Sequence, residues 1–272
     1  MTKPLILGHR GASAYAPENT IAAFQRAFEL GADGIELDVA LTKDGAAIVM
    51  HDDRVDRTSN GTGLVSEMTL AEIQKLDAGS WFDAKYRGEK FPTLEEVLAA
   101  VPADKLINIE LKTRALRSWP PGPLPLSAAQ SAQVSLQMLM RLWEPTQLEQ
   151  TIVRVLEQAR AEKRVIISSF NPIALYRVMK LNPSLPRGLL YFKELPFFLG
   201  RAWLRPLAAP QALHPRNTTI TPALVRWAHA RRYQINTWTV DEPDETRRLV
   251  SLGVHAIITN KPDVLRETLN QM

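Results

Sequence analysis

The stretch Gly34-Ile35-Glu36-Leu37-Asp38-Val39 decides how the rest of the chain is interpreted. It is short and mostly apolar, as a buried β-strand is, and side chains on a strand alternate between its two faces. Glu36 and Asp38 therefore share one face, and three aliphatic residues take the other. Two such carboxylates repel each other and are costly to bury, and a bound divalent cation would relieve both costs. A solvated strand end with nothing bound is the alternative interpretation of this pair taken alone.

The composition is that of a globular protein with a sizeable core. Hydrophobic residues make up 45% and charged residues 23% of the 272 residues, which fits one large α/β domain or two small ones. The 33 Lys and Arg residues outnumber the 29 Asp and Glu residues, without forming a basic block. This mild excess suits an anionic substrate and gives no support for nucleic-acid binding. The absence of cysteine excludes disulfides, thiolate metal sites and a cysteine nucleophile.

Neither a signal peptide nor a transmembrane segment is predicted. The apolar run near the N-terminus, Leu5-Ile6-Leu7, is far too short for a signal peptide. No run of about 18 apolar residues is present either. We therefore expect a cytoplasmic enzyme.

Short apolar runs alternate with helical patterns along the chain. Eight strand-then-helix units begin near residues 5, 33, 106, 165, 187, 212, 235 and 256. Alternation of this kind predicts a parallel sheet, and eight units in about 250 residues predict an α/β fold of the (β/α)8 TIM-barrel type, a single catalytic domain over 1–272. The turn-rich residues 52–92 are predicted to form a small inserted subdomain after the second strand. An open doubly wound sheet is the alternative, but no Gly-rich dinucleotide motif or P-loop supports it.

Local signals set the expected bounds of several elements. Helices are predicted over Thr69–Leu76 and Thr93–Val101, because each opens with Thr followed three residues later by Glu. A strand is predicted over Ile235–Val240, with Trp238 on it. Residues 119–123, rich in Pro, are predicted to be a loop, followed by a helix over Ala128–Trp143.

Charged, polar and aromatic residues collect at the carboxyl ends of the predicted strands, where a TIM barrel carries its active site. In chain order they are His9, Arg10, Glu36, Asp38, His51, Glu110, Lys112, Phe170, His214 and Trp238. Their convergence on one rim is a stronger signal than any single motif.

The residue types at this rim indicate phosphoester cleavage. Glu36, Asp38 and Glu110 offer hard oxygen ligands suited to Mg²⁺, Ca²⁺ or Mn²⁺, whereas zinc is disfavoured by carboxylate ligation without cysteine. Arg10 and Lys112 beside such a cation would form an anion site for a phosphate. The cation would neutralise charge on the phosphoryl oxygens during cleavage.

Histidines supply the proton transfers in this interpretation. His9 and His51 lie on different strands and are candidates for a general base and general acid pair. Asp52 follows His51 directly and is a candidate to orient it. His214, which precedes Pro215 at a strand end, is a candidate substrate contact.

The sequence resembles the glycerophosphodiester phosphodiesterase family, with motifs in family order across nearly the whole chain. The matching residues are His9-Arg10-Gly11, Glu18-Asn19-Thr20, Gly34-Ile35-Glu36-Leu37-Asp38, Lys43-Asp44-Gly45, His51-Asp52, Arg57-Thr58-Ser59-Asn60-Gly61, Glu110-Leu111-Lys112, Ser168-Ser169-Phe170, Leu213-His214-Pro215 and Asn236-Thr237-Trp238-Thr239-Val240. The family fold is a TIM barrel with a small insertion after the second strand, to which residues 52–92 correspond.

The resemblance implies a role for each of these side chains. It implies metal ligation by the three acids, acid and base roles for His9 and His51, and phosphate contacts from Arg10 and Lys112. It also places Phe170 and Trp238 at an apolar wall near the glycerol or the leaving group. The family reaction cleaves glycerophosphodiesters such as glycerophosphocholine to glycerol 3-phosphate and an alcohol, and the glycerol hydroxyl can itself attack phosphorus.

Three features depart from the family pattern. Asn260 stands where the family often has Asp after the last strand, and we assign that position no catalytic role. Residues 113–147 are longer than in compact members. The segment Leu195-Pro196-Phe197-Phe198-Leu199 with Trp203, which lies in a stretch (Leu195–Leu207) expected to be an interrupted helix, is unusually apolar. If the last two flank the mouth, they would receive a lipid chain, which favours lysophospholipids and peripheral lipid contact. A lid or a dimer contact is the interpretation we prefer.

Two other classes of protein are compatible with the same barrel. A non-catalytic barrel would bind phosphate without turnover, but it predicts gaps in the set of acids, cations and histidines, and none is present. A phospholipase of C or D type would use the same carboxylates. The product separates these enzymes, because phosphocholine marks C-type cleavage and lysophosphatidic acid marks a lysophospholipase D.

Overall fold

Eight parallel strands close into a barrel wrapped by helices in the computed structural model, which describes residues 3–113, 137, 140–144, 146–195 and 197–272. The strands are β1 (Leu5–His9), β2 (Gly34–Leu41), β3 (Ala47–Val49), β4 (Leu106–Leu111), β5 (Val165–Ser169), β6 (Arg187–Tyr191), β7 (Ala212–Pro215), β8 (Gln234–Thr237) and β9 (Ala256–Thr259). Around the barrel the order is β1, β2, β4, β5, β6, β7, β8 and β9, which pairs again with β1. β3 is the exception, because it pairs antiparallel with β2 outside the ring. The predicted TIM barrel is therefore confirmed.

Most of the described helices follow a strand, as the predicted strand-then-helix units require. They are α1 (Ile21–Glu29), α2 (Leu70–Ile73), α3 (Leu94–Ala100), α4 (Leu148–Ala159), α5 (Pro172–Leu181), α6 (Phe197–Gly200), α7 (Arg205–Ala208), α8 (Pro222–Ala230), α9 (Pro243–Leu252) and α10 (Pro262–Asn270). The side chain of Thr20 caps α1 and that of Asn171 caps α5, each accepting from the first turn. The described helices are all too short or too polar to span a bilayer.

The alternation along β2 divides its residues between two environments. Ile35, Leu37 and Val39 lie in the main hydrophobic core with residues of the surrounding helices. Leu7 from β1 belongs to a separate small cluster, with Leu106 and Ala256, nearer the amino ends of the strands. The opposite face of β2 therefore points into the barrel. Glu36 and Asp38 lie on that face, in the part of the interior nearer the carboxyl ends of the strands.

The insertion between β3 and α3 has a hydrophobic cluster of its own. Val55, Val65, Ile73 and Phe91 pack there against residues of β2 and β3. Both predicted capping boxes are present, at Thr69 and Thr93. The assignment of 52–92 as an inserted subdomain stays a prediction.

Two predicted elements end earlier than expected. Helix α2 stops at Ile73 rather than at residue 76, because Lys75 and Leu76 donate to carbonyls three residues back and complete a turn instead. Strand β8 stops at Thr237, since the carbonyl of Trp238 accepts from Asn217 in the loop after β7. Trp238 is therefore the first residue past the strand, not part of it.

Two segments singled out in the sequence have different outcomes. The predicted loop at 119–123 and most of the predicted helix Ala128–Trp143 lie outside the described residues, although 140–142 are helical. The apolar segment expected to be an interrupted helix contains the short helices α6 and α7. Leu195 and Leu199 are buried in a cluster with Ile173, and Phe170 and Phe192 pack against it.

Candidate active site

Three carboxylates meet inside the mouth of the barrel. Glu36 and Asp38 come from β2 and are 4% and 1% exposed. Glu110 comes from β4, and its Cα lies directly opposite that of Asp38 in the parallel ladder. Each of the three acids offers an oxygen within 4.8 Å of the others. The structure thus brings together the three acids predicted as metal ligands, on two adjacent strands.

Two cations hold the acid cluster together. The Nζ of Lys112 lies 3.1 Å from Asp38 Oδ1 and 2.8 Å from Glu110 Oε1. The Nε of Arg10 lies 3.3 Å from Asp38 Oδ2, and its backbone N–H donates to Glu36 Oε2 at 3.1 Å. Both predicted phosphate contacts therefore border the carboxylates directly.

Asn19, which the sequence did not mark as a site residue, also contacts the cluster. Its Nδ2 donates to Asp38 Oδ2 at 2.9 Å. Its φ is 58°, in the left-handed region that Asn tolerates better than most residues. It directly precedes Thr20, the cap of α1. The start of that helix therefore fixes one face of Asp38.

The charges of this cluster do not balance. Burial raises the pKa of the Asp38 carboxyl, but Lys112 and Arg10 outweigh burial and hold that pKa well below its usual range. Burial, with repulsion from Asp38 and Glu110, raises the pKa of Glu36 well above its usual range. Three acids face two cations, so one acid lacks a counter-charge and is favoured in its neutral form.

A divalent cation fits this imbalance. It would add two positive charges beside the acid that lacks a counter-charge. The carboxylate oxygens of the cluster are also the ligands that Mg²⁺, Ca²⁺ and Mn²⁺ prefer. With all three acids ionised, the two cations leave the cluster with a net charge of −1, which a bound divalent cation would reverse to +1. The loaded site would then attract a singly charged phosphodiester.

His9 is held by a residue at the opposite end of the chain. Its Nδ1–H donates to Oδ1 of Asn260 at 2.7 Å. Asp241 in turn accepts from the Nδ2 of Asn260 at 2.6 Å, so the amide is oriented with its oxygen toward the ring. This leaves Nε2 of His9 as the free basic atom, 4.0 Å from Glu36 Oε2. Burial, and next the charge of Arg10, lower the pKa of His9 to about 4.

An ion-pair network connects His51 to Arg10 across the mouth. The Nδ1–H of His51 donates to Asp52 Oδ1 at 2.6 Å, which leaves its Nε2 free as well. Arg57, from the insertion, donates to Asp52 Oδ2 at 2.6 Å and to both oxygens of Glu18 at 2.9 and 2.7 Å. Glu18 also accepts from Arg10 at 2.9 Å. One arginine therefore orients a predicted catalytic histidine and a predicted phosphate ligand together.

Replacing Arg57 by Gln is expected to lower kcat about tenfold, the loss typical when a residue that orients a site residue is removed. Asp52 and Glu18 would lose a shared partner, and His51 and Arg10 would lose their fixed orientation. The matched control is Arg54→Gln, since Arg54 pairs with Asp56 in the same segment without reaching the site. Equal activity of the two variants would contradict this role for Arg57.

Three aromatic rings form a wall on the other side of the mouth. The ring centroids of Phe170 and Trp238 are 5.6 Å apart, edge to face. Phe192, absent from the predicted site, lies 5.7 Å from Phe170 and 6.3 Å from Trp238. The indole N–H of Trp238 donates to the carbonyl of His214 at 2.8 Å, which fixes the orientation of its ring.

His214 lies inside the barrel with no exposed surface. Its Nε2 accepts from the amide of Asn236 at 3.0 Å. The ring fills the space above Gly188, where an added Cβ would approach Nε2 to 2.3 Å. Burial lowers the pKa of His214 to about 3, so the ring is neutral. The predicted substrate contact through this residue stays a prediction; the structure shows its ring bonded to Asn236 and its backbone carbonyl bonded to Trp238.

Site residues recur at one position relative to the strands. The first residue after a barrel strand is Arg10 (β1), Lys112 (β4), Phe170 (β5), Phe192 (β6), Arg216 (β7), Trp238 (β8) and Asn260 (β9). The carboxyl ends of parallel strands form one rim, so these side chains surround the same opening. β2 differs because it continues into the hairpin with β3. This positional signal identifies Phe192 and Arg216, which the motifs did not include, and Asn260, to which the motif comparison assigned no catalytic role.

Comparisons with known proteins agree with this geometry. The model of the glycerophosphoryl diester phosphodiesterase family matches residues 9–264. A glycerophosphodiester phosphodiesterase of Caldanaerobacter subterraneus subsp. tengcongensis is 42% identical over 265 residues, which cover 97% of this chain and 96% of that protein. A glycerophosphodiester phosphodiesterase of Bacillus subtilis is 35% identical, over 97% of this chain and 85% of its own.

A solved structure has the same fold over nearly its whole length. It is a phosphodiesterase of Oleispira antarctica in complex with the product sn-glycerol-3-phosphate, with a TM-score of 0.79 and 26% sequence identity. It covers 98% of this chain and 97% of its own. On the family match, the identities and the shared barrel, this chain belongs to the glycerophosphoryl diester phosphodiesterase family.

Proposed function

We propose that this chain hydrolyses glycerophosphodiesters, such as glycerophosphocholine or glycerophosphoethanolamine, to glycerol 3-phosphate and an alcohol, and that the reaction depends on a divalent cation. The observation that carries the proposal is the set of three acids and two cations at one end of a barrel, beside two histidines with free Nε2 atoms. The names of the relatives and the glycerol 3-phosphate in the neighbouring structure support the same reaction.

Each group of site residues has a distinct role in this proposal. Glu36, Asp38 and Glu110 would hold the cation, which when bound supplies neutralisation of charge on the phosphoryl oxygens. Arg10 and Lys112 would bind the phosphate oxygens from either side of the acids. Because Arg10 already borders Glu36 and Asp38, a phosphate bound there would lie against the cluster itself.

Proton transfer falls to the two histidines. His9 fits the proton acceptor, because burial and Arg10 keep its ring neutral and Asn260 occupies Nδ1. Its Nε2 would take the proton from the attacking hydroxyl. Attack by water gives glycerol 3-phosphate directly, whereas attack by a glycerol hydroxyl gives a cyclic phosphate that water would then open. To act as the general acid, His51 would carry protons on both ring nitrogens, keep Nδ1–H on Asp52 and deliver the proton of Nε2 to the leaving alcohol. Phe170 and Trp238 would bound the glycerol or the alcohol on the apolar side.

The experiment is a coupled assay for glycerol 3-phosphate release from glycerophosphocholine. The protein is assayed with EDTA and then with added Mg²⁺, Ca²⁺ or Mn²⁺. We expect no release with chelator and recovery with at least one cation. Release that is unaffected by chelator would contradict the metal dependence, and no release from folded protein would contradict the activity.

Product identity distinguishes the alternatives. Lysophosphatidic acid formed from a lysophospholipid would indicate lysophospholipase D activity, and phosphocholine would indicate C-type cleavage. The burial of Leu195 and Leu199 against Ile173 gives these apolar side chains a packing role that needs no lipid chain. We therefore expect the water-soluble diester to be the better substrate.

A further inference from the structure

A cavity of about 370 Å³ opens on the side of the barrel mouth that faces the acid cluster. Lys193, Glu194, Arg216 and Trp238 contribute to its walls, from the loops that follow β6, β7 and β8. In the barrel order, β7 lies diametrically opposite β2, and β8 lies opposite β4. The cavity is therefore across the mouth from the strands that carry the three acids.

The aromatic wall joins this cavity to the centre of the mouth. Trp238 lines the cavity and also contacts Phe170, the first residue after β5, the strand next to β4. The guanidinium of Arg216 lies 5.9 Å from the ring centroid of Phe192, the third member of the wall. A substrate whose phosphate lies at the acids would extend along these rings toward Arg216.

The charged side chains of the cavity, unlike those of the acid cluster, have no ion-pair partners among the described residues. Within the described residues, Lys193, Glu194 and Arg216 form no ion pair with any N···O separation of 4.0 Å or less. The Oε2 atom of Glu194 is buried and accepts no hydrogen bond. An unpaired buried oxygen is costly, so a hydrogen-bond donor on a ligand in the cavity would be favoured beside Oε2.

The backbone around Arg216 is held at three points. Its N–H donates to the carbonyl of Tyr191 at 3.1 Å. The N–H of Asn217 donates to the carbonyl of Trp238 at 3.0 Å, and its side-chain amide donates to that of Thr239 at 3.3 Å. The loop after β7 is thereby bonded to the ends of both neighbouring strands. The backbone that carries the Arg216 guanidinium is therefore fixed. A fixed backbone favours specific recognition of a ligand over non-specific electrostatic attraction.

We propose that this cavity is the subsite for the leaving alcohol and that Lys193 and Arg216 select alcohols carrying a carboxylate; the inference rests on the proposed function. Glycerol is neutral and offers no anion to Lys193 and Arg216. The two positive charges therefore match the leaving alcohol of the diester rather than its glycerol. A serine head group matches best. Its carboxylate would pair with Arg216 and Lys193, and its ammonium would donate to the unpaired oxygen of Glu194.

The matched substrates for a test are glycerophosphoserine and glycerophosphoethanolamine, which differ only in the carboxylate. We expect wild-type protein to have the higher kcat/KM for glycerophosphoserine. In Arg216→Gln, the ratio of kcat/KM for the serine diester to that for the ethanolamine diester should fall about tenfold, the size of one charge-assisted hydrogen bond. Lys193→Gln should lower the ratio in the same direction. The control is Arg226→Gln, which changes an exposed arginine on α8 and should leave the ratio at its wild-type value.

Each other outcome overturns a different statement. A ratio that Arg216→Gln leaves unchanged overturns the carboxylate selection. If that unchanged ratio comes with an equal loss of kcat/KM for both diesters, the assignment of the cavity to the alcohol is overturned as well, because the loss would place the shared glycerol phosphate there. If wild-type protein releases glycerol 3-phosphate from neither diester with any cation, the proposed function fails, and this inference fails with it.

Discussion

Replacing Glu36, Asp38 or Glu110 singly by its amide is expected to lower kcat by about a thousandfold or more. Stabilisation of phosphoryl charge by a cation contributes several kcal/mol to the barrier, and each 1.36 kcal/mol is a factor of ten in rate. The amide keeps the shape of the side chain and removes its charge. The coupled glycerol 3-phosphate assay, run at saturating cation, measures the loss. Asp244→Asn, at a fully exposed carboxylate on α9, is the matched control.

Thermal unfolding separates loss of the cation from loss of the fold. In metal-free protein the acids repel one another, and Glu36 is favoured in its neutral form. Glu36→Gln should therefore unfold at a temperature no lower than wild type. Added Mg²⁺, Ca²⁺ or Mn²⁺ should raise the unfolding temperature of wild type, because a ligand that binds only the folded state stabilises it. The variant should respond less. A variant with full, cation-stimulated turnover would contradict the metal site.

The barrel and the acid cluster could be predicted from the pattern of apolar and polar residues within short stretches of the sequence. Alternation along residues 34–39 placed Glu36 and Asp38 on one face, and a parallel sheet brings the carboxyl ends of strands to one edge. Glu110 then follows, because its strand has the same apolar and polar alternation. The register that sets its Cα opposite Asp38 is a property of the paired strands and is not visible in either one.

Contacts that depend on closure of the barrel were not predictable in the same way. Asn260 meets His9 only because β9 pairs with β1, at a separation of 251 residues. Arg57 reaches Glu18 only after the insertion folds back over the mouth. Neither contact could be predicted from the local periodicity of the sequence. The position of Phe192 was predictable, because it follows its strand as Phe170, Trp238 and Asn260 follow theirs. Counting positions from strand ends would have found it.

Replacing His9 or His51 by Gln is expected to lower kcat by about a hundredfold or more, as removal of a positioned proton donor or acceptor does. The hydrogen bonds at Nδ1 explain why both rings are suited to the task. Asn260 accepts from His9, and Asp52 accepts from His51, so each ring presents Nε2 with its tautomer fixed. His229→Gln, at an exposed position on α8, controls for the loss of an imidazole.

The division of the loss between kcat and KM decides the roles of the two histidines. A proton-transfer residue acts in the transition state, so kcat and kcat/KM should fall together with little change in KM. A loss confined to KM would make His9 or His51 a binding residue instead. Asn260→Ala extends the test to the amide that orients His9. Because the ring remains but its Nδ1–H loses its acceptor, kcat should fall by less than in His9→Gln, while KM is retained. If Asn260→Ala had wild-type kcat, His9 would not depend on this hydrogen bond for its orientation.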